Sequence, residues 1–382
     1  MTFELLKTDG AARRGRLLTA HGAVETPAFM PVGTRAAVRS LGPDDLAAAG
    51  VQIVLANTYH LLMRPGHALI RELGGLHRFM AWPGPILTDS GGFQVWSLAK
   101  FRSVDDEGVR FRSPVDGSMH ALTPEIAIEV QHALGADIVH PLDEFLPPPA
   151  TREDTARSLE RTLRWARRSR VAHARGARAQ ALFGIVQGGP YEDLRQTAAR
   201  ETEALGFDGY AIGGMAVGEP KPLMYALTAS VTARLPADQP RYLMGVGKPE
   251  DVVESVARGV DMFDCVLPTR NARNGQCFTS EGALTIKQAR YERDGAPLDR
   301  DCVCYACRNF SRAYLRHLFM SDELLAYRLL SLHNVHFFQR VMAAMRAAID
   351  AGAFGPFRTR FFARYAVSSD VVSPEPISSA EA

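Results

Sequence analysis

Residues 241–268 read RYLMGVGKPEDVVESVARGVDMFDCVLP. The segment opens and closes on short apolar runs, Arg241–Gly247 and Met262–Pro268, each ending at glycine or proline as buried strands do. Between them, Lys248-Pro249-Glu250-Asp251 sets proline and two acids where a first helical turn favours them, and Gly259 can close that helix. Two like strands separated by a helix argue for parallel pairing.

The unit recurs upstream. Ala28–Thr34, Val51–Asn57, Pro85–Gly91, Ala136–Asp143, Ala181–Gly188 and Gly209–Gly214 are further apolar runs ending at turn-forming residues. Thr123-Pro124 is a helix start, and Arg157–Arg170 and Asp193–Leu205 have helical apolar spacing. Eight such units predict an α/β protein, a closed (β/α)8 TIM barrel, with an open doubly wound sheet as the alternative. Phe101–His120 reads as a hairpin after the third strand. Thr269 to Leu332 is inserted after the eighth, and the last barrel helix is expected over Asn334–Ala351, where Val335, Phe338, Met342, Met345 and Ile349 share a face. The expected domains are a catalytic barrel over 1–268 and 334–366, an inserted subdomain over 269–333, and a disordered Ser- and Pro-rich tail over 367–382.

Composition excludes several classes. The 382 residues carry 44 basic and 42 acidic side chains, so a nucleic-acid surface would have to be a local patch. No apolar run approaches a membrane span, and the N-terminus lacks a signal-peptide core, which predicts a cytoplasmic protein with no membrane partner. No phosphate-binding loop or dinucleotide fingerprint is present.

In a barrel, chemistry sits at the C-terminal ends of strands. Here those ends carry Asp89, Asp143, Gln187 and Asp264. A single strand-end acid can simply cap the next helix; three aimed at one rim indicate a site. The pairs Gly91-Gly92, Gly188-Gly189 and Gly213-Gly214 leave room for close backbone approach, as a flat ligand needs, and Phe93 and Met244 can close on its faces.

Cys302-x-Cys304-x2-Cys307, followed by His333, supplies four ligands for one structural Zn2+ with no open position, His336 being the rival fourth ligand. Arginines cluster at Arg161, Arg164, Arg167, Arg168 and Arg170, read as a solvated helix face. A second group, Arg270, Arg273, Lys287, Arg290, Arg293, Arg308, Arg312 and Arg316, surrounds the cysteines and fits a phosphate-backbone substrate.

Asp89-Ser-Gly-Gly-Phe-Gln94, Gly184-Ile-Val-Gln-Gly-Gly189, Met244-Gly-Val-Gly-Lys248, Phe263-Asp-Cys-Val-Leu-Pro-Thr-Arg270 and the Cys/His set together resemble the tRNA-guanine transglycosylases over residues 3 to 365. The resemblance implies a zinc-bearing barrel that exchanges the wobble guanine of GUN-anticodon tRNAs for a 7-deazaguanine in queuosine synthesis, in bacterial members as a homodimer. It implies Asp264 as nucleophile and Asp89 as general acid/base, held near Asn57 and Thr58. It implies a base site of Asp89, Ser90, Gly91, Gly92, Phe93, Asp143, Gln187, Gly214 and Met244, with Asp143 reading the guanine-type edge, Gln187 and the Gly214 N–H serving the base carbonyl, and Phe93 and Met244 as walls. Its tRNA contacts fall on Gly245, Val246, Gly247, Lys248, Pro249, Glu250 and Asp251, and on Thr269, Arg270, Asn271, Ala272 and Arg273. Val217 resembles the bacterial branch, which takes the compact base preQ1 (7-aminomethyl-7-deazaguanine). Two departures stand out: Phe145 where many bacterial members have cysteine, and Met215 where leucine is common. A retaining glycoside hydrolase and a non-catalytic RNA-binding subunit are the rival readings, and the zinc segment and the presence of both Asp89 and Asp264 argue against them.

Overall fold

The computed structural model describes residues 1–98, 102–147, 149–176 and 179–366; the expected tail lies outside them. Eight parallel strands form one sheet: Ala28–Pro31, Val54–Ala56, Ile86–Thr88, Ile138–Val139, Ala181–Val186, Gly209–Ile212, Arg241–Leu243 and Met262–Cys265. Numbered one to eight along the chain, they are ordered 1-8-7-6-5-4-3-2. A parallel bridge from Val32 to Leu55 joins strand one to strand two and closes the circle, so the structure is a TIM barrel rather than an open sheet. Every strand sits inside its predicted run, trimmed at the ends.

Alternation along the strands decides what faces inward. Ala28 and Met30, Phe183 and Ile185, Tyr242, and Met262 fill the barrel interior, while Phe29, Leu182, Val186, Leu243 and Phe263 face the surrounding helices. Continuing the inner parity toward the C-terminal ends reaches Asp89 from Leu87, Gln187 from Ile185 and Met244 from Tyr242, just past their strands, and Asp264 from Met262 within strand eight.

The opposite end is closed by an antiparallel sheet of Thr2–Asp9, Ala12–Thr19 and Gly22–Thr26, whose Leu17 and Val24 complete the interior cluster. Here acids are structural. Asp137, Asp208 and Asp261, each one residue before a strand, accept the backbone N–H of Ile86, Leu182 and Arg241 on the neighbouring strand at 2.8–2.9 Å. Each so satisfies a strand-end donor that the ladder leaves unpaired. Asp261 also pairs with buried Arg13 at 3.1 Å.

Two expectations change. The segment after strand three is a three-stranded sheet, Arg102–Val104, Val109–Arg112 and Met119–Leu122, rather than a hairpin alone. The last barrel helix begins ten residues before its predicted start, at Leu324, and runs to Asp350. Its N-terminal part carries Leu329 and Leu330 into the core of the inserted segment, and its later part carries Val335, Phe338, Met342 and Met345 into the barrel core. Asn334, in the middle, accepts from Phe278 N and donates to the carbonyls of Pro268 and Gln276 at 2.9–3.0 Å. Farther along, Gln339 donates to Phe29 O on strand one at 2.9 Å.

Candidate active site and metal centre

Three acids meet at the C-terminal mouth, each held differently. Asp89 is buried and accepts from the Asn57 amide, from Thr58 N at 2.8 Å and from Gln94 Nε2 at 2.8 Å. Burial pushes its carboxyl up to about 6 against these three donors, and the charge of Asp264 adds to the rise. Asp89 can therefore exchange protons near neutral pH.

Asp143 is also buried. Ser90 Oγ donates to its Oδ1 and Gln187 Nε2 to its Oδ2, both at 2.7 Å. Burial raises its carboxyl above the ordinary range while these bonds restrain it. Asp264 is half-buried and accepts from Tyr242 OH at 2.6 Å and Gly245 N at 2.7 Å. Burial raises it too, and the two donors oppose that rise. Tyr242 is held far above its usual value by burial and by the Asp264 charge, so it remains a proton donor.

Phe93 is 39% exposed at the mouth, and Met244 packs on the interior cluster. Phe145 braces Phe93: the rings meet edge-on at 5.1 Å and 70°, and Trp96 meets Phe145 at 4.9 Å. Beside the slot lies a cavity of about 350 Å³ walled by Phe145, Gln187, Gly214, Met215, Val217 and Leu223. Glu219 accepts from the N–H groups of Ala216 and Val217 and fixes that wall.

The glycine pairs have a reason the sequence did not reveal. A Cβ on Gly92 would lie 2.5 Å from Asp143 O, one on Gly188 2.8 Å from Arg195, and one on Gly213 2.6 Å from Gln187. The space they leave is taken by the protein's own groups.

Of the two expected RNA segments, one is only partly available. Glu250 and Asp251 are buried and both bind Lys221 at 2.8 Å; Val246, Gly247 and Pro249 are buried as well, leaving Gly245 and Lys248 toward solvent. In the short helix Leu267–Arg273, Thr269 and Ala272 are buried, and Arg270, Asn271 and Arg273 are half-exposed. Arg312 of the second cluster is engaged with Asp294 and the Leu298 carbonyl. The first cluster is more than a solvated face: Arg161 pairs with Glu144, Arg164 with Asp106 and Arg168 with Glu125.

Cys302, Cys304, Cys307 and His333 are buried together and could hold a metal ion. Their sulfurs lie 3.7, 3.6 and 3.3 Å from His333 Nδ1. Tetrahedral zinc, with bonds of about 2.3 Å to sulfur and about 2.0 Å to nitrogen, requires roughly 3.5 Å. His333 Nε2 bonds Phe278 O at 2.9 Å, which puts its proton there and leaves Nδ1 as the ligand atom. His336 approaches only Cys302, at 3.5 Å. A second group, His21, His77 and Asp137, is a pair of hydrogen bonds to one carboxylate. Its rings stack 3.5 Å apart at 18°, so one ion cannot lie in both ring planes.

Sequence reasoning missed Tyr242, Gln94 and Arg195. Tyr242 sits on the inner parity of strand seven, and Arg195 occupies the buried stripe Arg195, Ala198, Ala199, Thr202 of its helix, where a cation is out of place. Those two patterns were the available signals.

Comparison with known proteins gives the family. The family model described as "Queuine tRNA-ribosyltransferase" matches residues 8–367. A queuine tRNA-ribosyltransferase of Methylobacillus flagellatus is 56% identical, covering 94% of this chain and 97% of its own. Those of Symbiobacterium thermophilum (56%; 95% and 91%) and Thiobacillus denitrificans (54%; 96% and 100%) are similarly close.

Proposed function

Because this chain belongs to the queuine tRNA-ribosyltransferase family, we propose that its barrel mouth exchanges the wobble guanine of GUN-anticodon tRNAs for preQ1 by two displacements at one carboxylate. The family makes it a tRNA-guanine transglycosylase of queuosine synthesis; the base, the intermediate and the residue roles are our reading.

In this reading Asp264 attacks C1′ of the target ribose. The C1′–N9 bond breaks, guanine leaves with the electron pair, and an ester links Asp264 to ribose. The incoming base then attacks C1′ through the corresponding ring nitrogen and expels Asp264, so configuration is retained, as in retaining glycosidases. Asp89 delivers a proton to the leaving guanine and accepts one from the incoming base. Asp143 takes the amino and ring N–H groups of the base, Gln187 and Gly214 N–H its carbonyl, and Phe93 and Met244 its faces. A base within an anticodon loop must be splayed out to enter such a slot. Val217 in the cavity wall favours a compact base.

The observation carrying this reading is the pair Asp89 and Asp264: two acids at one mouth, one poised near neutral pH and the other held by two donors that stabilise its anion. Arg270, Arg273 and Lys248, all half-exposed, would meet phosphate in this reading. The cysteines and His333 would hold one structural zinc that shapes the inserted segment 269–333 beside the barrel. The exposed apolar residues Tyr305, Tyr314, Met320 and Leu324 on that segment fit a homodimer. No helix among the described residues is long and apolar enough to cross a membrane, in keeping with a cytoplasmic enzyme. The test is exchange of radiolabelled guanine into unmodified tRNA: Asp264→Asn should abolish it, and exchange persisting at the wild-type rate would refute the nucleophile.

A further inference from the structure

Arg195 lies on the helix Glu192–Leu205, outside the barrel wall, and is fully buried. A buried guanidinium is expected to sit against a carboxylate. Among the described residues, its hydrogen bonds instead go to backbone carbonyls at the ends of strands five and six. Nε donates to Gly189 O at 2.7 Å, Nη1 to Gly213 O at 3.0 Å and, more weakly, to Val186 O at 3.5 Å, and Nη2 to Gly214 O at 3.1 Å. The one acid whose charge acts on it appreciably is Glu219.

The turns it grips are unusual. Gly188, Gly189 and Gly214 have φ of +134°, +58° and +65°, where glycine has little intrinsic preference among several backbone directions. Something outside the turns must select one. The Arg195 fork does this because carbonyl and N–H of a trans peptide point in opposite directions. Drawing Gly213 O outward to the helix turns Gly214 N–H inward to the barrel mouth. Val186 O accepts Gly213 N–H at 3.0 Å, the bond that sets the end of strand five against strand six, and the longer Arg195 contact caps that junction, from which Gln187 follows. A Cβ at Gly188 would occupy the space of the Arg195 side chain, so glycine and arginine here are one arrangement.

We propose that Arg195 is a positioning residue for base recognition: from behind the wall, it aims the two groups, Gln187 and Gly214 N–H, that meet the carbonyl of the base. The inference rests on the base-edge reading above. Lysine is no substitute, since one ammonium cannot span these carbonyls as a planar fork does.

The test compares inhibition constants of guanine and 2-aminopurine, which lacks the carbonyl and the adjoining ring N–H that Asp143 would take, in wild type, Arg195→Met and Arg195→Lys, each with its KM for tRNA. Arg195→Met should weaken guanine roughly ten-fold, about the worth of one hydrogen bond, and shrink the preference for guanine over 2-aminopurine by the same factor. KM for tRNA should stay within about two-fold, and Arg195→Lys should show a smaller loss of the same kind. If Arg195→Met does not fold, Arg195→Lys alone carries the comparison. Equal weakening of both bases, or an unchanged preference, would overturn the proposal. A wild type that does not prefer guanine would overturn the base-edge reading, and this inference with it.

Discussion

Tyr242 OH and Gly245 N–H both reach the same oxygen of Asp264, Oδ1, at 2.6 and 2.7 Å. The second oxygen is left without either donor. The carboxylate is thereby oriented through one atom, and both bonds oppose the upward push of burial on its titration. Tyr242→Phe removes one charge-assisted bond, worth about 1.5–3 kcal/mol. We expect kcat for base exchange to fall roughly ten- to hundred-fold. The tyrosine bond lowers the Asp264 carboxyl, so its loss raises it, and the acid limb of the kcat–pH profile should move to higher pH. An unmoved limb would separate Tyr242 from the titration of Asp264.

Asp89 gives a pH-dependent stability of unusual sign. Its folded value, about 6, lies above the ordinary 3.8, so the native state binds the proton more tightly than the unfolded chain. Its contribution is greatest below the ordinary value and is lost as pH rises through about 6. Two units correspond to roughly 3 kcal/mol. Between pH 4 and pH 7, wild type should lose up to that amount relative to Asp89→Asn. Chemical denaturation of both proteins across this range measures it, and parallel pH dependences would contradict it.

Removing a metal held by Cys302, Cys304, Cys307 and His333 should loosen the molecule without touching the acids. Cys302→Ser, or prolonged chelation, should reduce bound zinc from one per chain. Loss of such a site costs several kcal/mol, or roughly 10 °C in melting temperature for a chain of this size. Elemental analysis with calorimetry checks both numbers together. Full retention of stability in metal-free protein would count against a structural role.

Arg270→Ala should weaken tRNA alone. Each lost phosphate contact to a single-stranded loop reduces the slope of log affinity against log salt by about 0.7. Binding titrations at several salt concentrations should show that change with an unaltered base inhibition constant. A change in base binding instead would place Arg270 in the pocket.

Phe145 lines the cavity beside Gln187, and its ring braces Phe93. Edge-on aromatic contacts contribute about 0.5–1.5 kcal/mol each. Phe145→Ala should raise the base KM roughly three- to ten-fold and leave the tRNA KM unchanged. The opposite split would show that Phe145 serves the RNA.

Much of this site is legible by counting in twos. Leu87, Ile185, Tyr242 and Met262 face inward, and two residues beyond each come Asp89, Gln187, Met244 and Asp264. The cysteine spacing likewise identified four residues that meet in space, because ligand geometry tolerates little variation. What could not be read depends on contacts distant in sequence. Arg195 looks like any helix cation until its helix is laid against strands five and six. Glu250 and Asp251 look like a first-turn pair near RNA until Lys221, about thirty residues earlier, is seen to hold both. The early start of the last helix escaped notice for a related reason: its N-terminal turns pack on the inserted segment, so their apolar face belongs to a different core.

That helix has an engineering consequence. At 27 residues it is about 40 Å long, and His333, Asn334 and Gln339 tie the cysteine cluster, the exit of strand eight and strand one to a single rigid rod. A cut at residue 333 would sever it mid-turn. The cysteine-bearing insert is thus no detachable cassette: transplanting it to another barrel, or deleting it from this one, would take away part of the seam that closes the host.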